Sequence, residues 1–169
     1  MDVLLVDGYN IIGDWTELKS LREVDLDQAR QLLIEKMAEY QAYRGYRVII
    51  VFDAYEVKGP ESKDNQYNIE IIYTKEKETA DQCIERLVKE FINVKTKVYV
   101  ATSDYTEQRT IFQQGAYRKS ARELAIEVDQ IKKEISNDLR TFEKRKQGRS
   151  LPIKQEILDQ FEKMRRGRV

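Results

Sequence analysis

The sequence contains no histidine. That excludes a Ser–His–Asp triad, imidazole-based acid–base catalysis and ordinary zinc sites. Hydrolytic chemistry in this chain must run on carboxylates, lysines, hydroxyls or a bound metal. A single cysteine, Cys83, cannot form an internal disulfide, and a cytoplasmic location is expected. No apolar run reaches the roughly 18 residues needed to span a membrane. The N-terminus has an acid at position 2 and no basic stretch, so it does not read as a signal peptide.

The chain's 169 residues, 41% hydrophobic, suffice for one domain with one real core. Net charge is zero but unevenly placed. Residues 1–117 carry 15 Lys+Arg against 21 Asp+Glu, and residues 118–169 carry 15 against 9. An acidic body with a basic end suits a metal site beside a phosphate-binding surface; it equally describes a solvated basic helix.

Two short apolar runs read as strands, 3–6 and 47–52, with further strands at 68–73 and 97–101. Between them lie helical patterns. Residues 25–44 place Leu26, Ala29, Leu33, Met37 and Tyr40 on one stripe, with Asp25 as N-cap and Gly45 as stop. Thr79 caps a helix to about 92. Residues 102–104 are expected to start another helix, ending near 112. Ser120–Glu123 forms a capping box before a long helix bearing Leu124, Val128, Ile131, Ile135, Leu139 and Phe142. A last short helix is expected after Pro152, with Ile153, Ile157, Phe161 and Met164. Residues 7–10 read as a turn and 55–65 as an exposed, mobile loop. Strands alternating with helices imply an α/β fold with a mostly parallel sheet covered on both faces.

Ligands in such folds bind beyond the carboxyl ends of the strands. Asp7 directly follows the first strand and Asp53 the second, while Asp104 lies three residues past Ala101. Asp81 sits in the first turn of the helix that Thr79 caps. Singly, Asp81 and Asp104 are ordinary helix-start acids, and Asp7 before Gly8 is an ordinary turn residue. Together they converge on one sheet edge. Clustered carboxylates repel one another unless a cation sits among them, and hard oxygen ligands suit Mg²⁺ or Mn²⁺. Asn10, Ser103, Thr79 and Glu78 are weaker supporting candidates: Asn10 can orient a water or phosphate or end a turn, Ser103 can bond a metal-bound water or cap a helix, Thr79 caps its helix, and Glu78 is a further outer-sphere acid or simply a surface residue.

Four motifs taken together, Val6-Asp7-Gly8-Tyr9-Asn10, Val51-Phe52-Asp53-Ala54, Glu78-Thr79-Ala80-Asp81 and Ala101-Thr102-Ser103-Asp104-Tyr105-Thr106-Glu107-Gln108, resemble the YacP-like NYN domain family of the PIN-like nuclease superfamily. The resemblance covers nearly the whole chain, including Arg118-Lys119-Ser120-Ala121-Arg122-Glu123-Leu124. It implies a three-layer α/β/α PIN-like domain over residues 1–147, with C-terminal helices and a basic tail over 148–169 packed on it. It also implies Mg²⁺- or Mn²⁺-dependent cleavage of single-stranded RNA at Asp7, Asp53, Asp81 and Asp104, with Asn10 beside them. The implied substrate is mRNA in the A site of translating ribosomes. RNA and ribosome are thus the expected partners, and a monomer the favoured state.

Arg118, Lys119 and Arg122, and the cluster Lys144, Arg145 and Lys146, are the candidate RNA contacts. Arg165, Arg166 and Arg168 form a further basic group. Position 55, a tyrosine, carries no assigned role. A non-catalytic RNA- or ribosome-binding module is the alternative; the intact acid set argues against it. A phosphotransferase with a nucleophilic aspartate would need a second aspartate two residues on, where Tyr9 stands, and there is no Walker A loop.

Overall fold

The structure is a computed structural model that describes residues 1–56, 58–104, 109–148, 160 and 162–165. The apolar runs form strands as expected: β1 (Val3–Asp7), β2 (Arg47–Phe52), β4 (Ile69–Tyr73) and β5 (Val98–Thr102). With β3 (Ser62–Gln66) and β6 (Tyr117–Ser120) they form one six-stranded sheet in the order β3-β4-β2-β1-β5-β6. Only β3 runs antiparallel to its neighbour. β1 is central and buried along its whole length, the position a continuous apolar run demands.

Helices cover both faces. One face packs against α1 (Gly8–Asp14), α2 (Thr16–Val24), α3 (Leu26–Arg44) and α6 (Ala121–Gly148) through Leu4, Val6, Ile50, Leu33, Met37, Leu124 and Ile131. The other packs against α4 (Ala80–Phe91) and α5 (Arg109–Gln113) through Leu5, Ile49, Val100, Ile84, Leu87 and Ile111. This is the three-layer α/β/α arrangement. No helix among the described residues is long and apolar enough to cross a membrane.

Several expectations are corrected. Residues 8–10 are not a turn but the start of α1. α2 is additional, and Trp15 between α1 and α2 donates its Nε1–H to the carbonyl of Ala121, 2.8 Å away. The loop expected over 55–65 ends early, because Ser62–Gln66 pairs with β4. The turn joining them, Tyr67-Asn68, holds both residues at positive φ (52° and 66°), the backbone of a tight hairpin turn. The helix expected to start at 102–104 runs into residues 105–108, which lie outside the described residues; α5 is described over Arg109–Gln113. The helix start expected at Ser120 follows directly on β6, a strand that the sequence pattern does not predict; Ser120 Oγ accepts the Glu123 N–H at 3.0 Å. The expected last helix falls mostly outside the described residues, of which Gln160 and 162–165 are helical.

Candidate active site

Strand alternation decides which way the acids point. On β1, Val3 and Leu5 face α4, and Asp7 continues that parity. On β2, Ile49 and Val51 face α4, so Asp53 does too. On β5, Val98 and Val100 place Thr102 on the same side. Asp7 pairs in register with Val51, and Val6 with Ala101. Asp7 is therefore the middle of the edge, with the Asp53 exit on one side and the 102–104 exit on the other. Strands about 4.8 Å apart and a rise of about 3.3 Å per residue keep these positions neighbours.

The structure ties Asp53 to α4. Its Oδ2 accepts the N–H of Ala80, the first residue of α4, at 3.2 Å, and its Oδ1 accepts the Tyr55 N–H at 2.9 Å. Asp81 is the next residue of that helix and half-buried. Thr79 is committed to structure: it makes a full capping box with Gln82. Thr74, a residue with no distinguishing sequence signal, accepts the Ala54 N–H on Oγ1 at 2.7 Å and so shapes the exit from β2.

Asp7 is 8% exposed. It occupies the N-cap position of α1, yet its side chain makes no cap hydrogen bond, so capping is not what places an acid there. Gly8 follows because Phe52 packs against it: a Cβ there would lie 2.5 Å from Phe52 Cδ1 and 3.1 Å from the Val51 carbonyl oxygen. Asn10, one turn into α1, closes the other side. Its Oδ1 accepts the Ser103 N–H at 2.6 Å, the Ser103 hydroxyl at 2.8 Å and the Thr102 hydroxyl at 3.3 Å. Thr102 Oγ1 in turn accepts the Asp104 N–H at 3.0 Å. Asn10 and Ser103 thus act as a clasp between α1 and the end of β5.

Glu78 belongs to a different group. It is buried and ion-paired with Arg86 at 3.3 Å; Arg86 also pairs with Glu61. Desolvation works against the Arg86 guanidinium, but its carboxylate partners outweigh it and hold it above its ordinary value. Burial pushes the neighbouring Cys83 thiol up to about 12. Glu61, Glu78 and Cys83 have potential ligand atoms all within 4.8 Å. Arg86 already supplies the positive charge to the first group. The aspartates offer an all-oxygen donor set, the kind that suits a hard cation such as Mg²⁺ or Mn²⁺.

The basic candidates separate. Arg118 and Arg122 are exposed. Lys119 is 9% exposed; its ammonium pairs with Glu127 at 2.7 Å and lies 5.4 Å from the centre of the Tyr99 ring. Tyr40 donates to the same Glu127 at 2.7 Å. That lysine holds β6 to α6 and α3. Lys144, Arg145 and Lys146 are exposed near the far end of the 28-residue α6, about 35 Å along the helix from its start.

A cleft of about 520 Å³ opens beside Asp53, lined by Ala54, Tyr55, Glu56 and Thr79 as well. A second, of about 590 Å³, lies between α2, α3 and α6 and holds none of the four aspartates.

The chain matches the family model described as YacP-like NYN domain over residues 4–166. It is 53% identical over 167 residues to the uncharacterized protein YacP of Bacillus subtilis (strain 168), covering 99% of this chain and 98% of that one. Its fold matches the crystal structure of Rae1 (YacP) from Bacillus subtilis with a TM-score of 0.76 at 53% identity, and that of a single-substitution mutant with a TM-score of 0.80 at 49% identity. Each match covers 99% of this chain and 96% of the other. The chain belongs to the YacP-like NYN domain family, a nuclease-like family of PIN-like fold.

Proposed function

We propose that this protein is a divalent-metal-dependent endoribonuclease that cleaves single-stranded RNA, with mRNA in the A site of translating ribosomes as substrate and the cytoplasm as workplace. One observation carries the reading: Asp7 and Asp53 share the α4 face at the centre of the sheet edge, and the Ala80 N–H bonded to Asp53 brings the helix start bearing Asp81 to them.

Asp7, Asp53, Asp81 and Asp104 would hold Mg²⁺ or Mn²⁺. The bound ion supplies an activated water and charge stabilisation for in-line attack on a phosphodiester. The clasp of Asn10 on Ser103 fixes the segment that carries Asp104. Arg118 on β6 and Arg122 in the first turn of α6, both exposed, would guide the RNA backbone. Lys144, Arg145, Lys146 and the basic tail are too far along α6 to touch the scissile bond, and serve as contacts to ribosomal RNA. The protein acts as a monomer.

The test is cleavage in manganese by wild type, Asp7→Asn and Asp81→Asn, on naked mRNA and on ribosomes programmed with the same mRNA. Wild type alone should cut, and only on the ribosome. Unchanged cleavage by Asp7→Asn refutes the mechanism; equal cutting of both substrates removes the ribosome. Mn²⁺ should also raise the melting temperature of wild type and not that of Asp7→Asn.

A further inference from the structure

The Asp53 cleft has a feature that the acids do not explain. Tyr55, on its wall, is 45% exposed. The backbone beneath this ring is fixed from three sides. Tyr55 donates its N–H to Asp53 Oδ1, Ala54 donates to Thr74 Oγ1, and the Tyr55 carbonyl accepts the Lys77 N–H at 2.9 Å. Lys77 makes that bond from the left-handed region, at φ 65°, a conformation that disfavours lysine. An aromatic ring presented to solvent from so constrained a backbone is pre-organised to meet a flat partner.

The charge of the cleft selects the partner. Asp53 and Glu56 line it; Asp53 is assigned to the metal, and the Glu56 carboxylate beyond it repels a phosphate while leaving a neutral nucleobase unopposed. The cleft is shallow and open to solvent, a shape that receives a flat base on one face and does not enclose it. Every base presents a π-face, and stacking on tyrosine requires an unpaired strand. We propose that this cleft is a nucleobase subsite, in which Tyr55 stacks on an unpaired base of the RNA and so sets the phosphate of that strand against the aspartate edge. The proposal rests on the RNA-cleaving reading for its ligand, and Tyr55 acts as a positioning residue, not a catalytic one.

The test is binding of a fluorescent single-stranded RNA oligonucleotide without divalent metal, by wild type, Tyr55→Ala and Tyr55→Phe. It is repeated with an abasic site moved along the oligonucleotide. Tyr55→Ala should weaken binding about tenfold, within the roughly 5- to 150-fold range of base–aromatic stacking, and Tyr55→Phe should bind as wild type. At one abasic position the gap between wild type and Tyr55→Ala should vanish. A Tyr55→Trp variant gives a second readout: the chain's one native tryptophan, Trp15, is buried, so RNA should quench the emission of the added, exposed indole.

Equal binding by Tyr55→Ala, an equal loss in Tyr55→Phe, a gap indifferent to every abasic position, or an unquenched Tyr55→Trp each overturns the subsite. Cleavage is scored separately. A wild type that binds with this pattern and never cuts ribosome-bound mRNA in manganese sinks the nuclease reading and leaves the subsite standing; a nuclease indifferent to Tyr55 sinks only the subsite.

Discussion

Asn10 Oδ1 accepts both the backbone N–H and the hydroxyl of Ser103, at 2.6 and 2.8 Å. The two residues are 93 apart in sequence, and their bonds tie the first helix to the end of β5. Asn10→Ala removes the acceptor, and stability should fall by about 1–2 kcal/mol in urea unfolding. Asn10→Asp keeps an acceptor and adds a charge beside Asp104. It should melt close to wild type and yet cut RNA more slowly. Equal activity of Asn10→Asp and wild type would show the clasp to be structural only.

Gly8 sits beneath the Phe52 ring. Gly8→Ala forces its Cβ against Phe52 Cδ1 and the Val51 carbonyl. The ring is fully buried and sits between Tyr9 and Tyr73, with centroids 5.0 and 5.5 Å away, so it has nowhere to go. The substitution should cost about 1–3 kcal/mol. Gly8→Ala with Phe52→Leu should lose less than the two single changes added together. Strict additivity in unfolding experiments would refute the contact.

How much of this was legible depended on what kind of signal each element carries. The central strands announce themselves, because burial on both faces demands uninterrupted apolar runs such as 3–6 and 47–52. Asp53 is conspicuous for the same reason, since an acid directly after such a run rarely serves packing, whereas Asp7 before Gly8 also reads as a turn residue. β3 was not legible, since Ser-Lys-Asp-Asn-Gln is polar on both faces, and its hairpin turn uses Tyr67-Asn68 where Asn-Gly would have signalled it. α1 was hidden by its own glycine, whose place is explained by a ring 44 positions away. Lys119 shows the limit for charge: beside Arg118 it reads as one basic patch, but neighbours on a strand face opposite sides, and only the fold reveals that Lys119 meets Glu127.

That division makes a prediction. Lys119→Ala leaves Glu127 without its ammonium and frees β6 from α6, and should cost about 2–3 kcal/mol in unfolding. Replacing Lys144, Arg145 and Lys146 together by alanine should leave stability within about 0.5 kcal/mol and weaken ribosome association. A Lys119→Ala protein as stable as wild type, but defective in RNA binding, would return that lysine to the substrate.

Cys83 offers a test by pH. Burial raises its thiol from an ordinary value near 9 to about 12. The native state therefore keeps a proton that the unfolded chain releases. The stability this contributes is fully present below about pH 9 and is lost as pH rises towards 12, with a limiting slope of about 1.4 kcal/mol per pH unit. Tyr40, also raised by burial and by its bond to Glu127, adds to the loss only above about pH 10. Between pH 9 and 10, wild type should lose stability in urea titrations faster than Cys83→Ala, even though the alanine protein starts lower for want of the sulfur. Parallel curves for the two proteins over that interval would mean that the thiol ionises as readily folded as unfolded, which a residue with no exposed surface at the start of α4 does not permit.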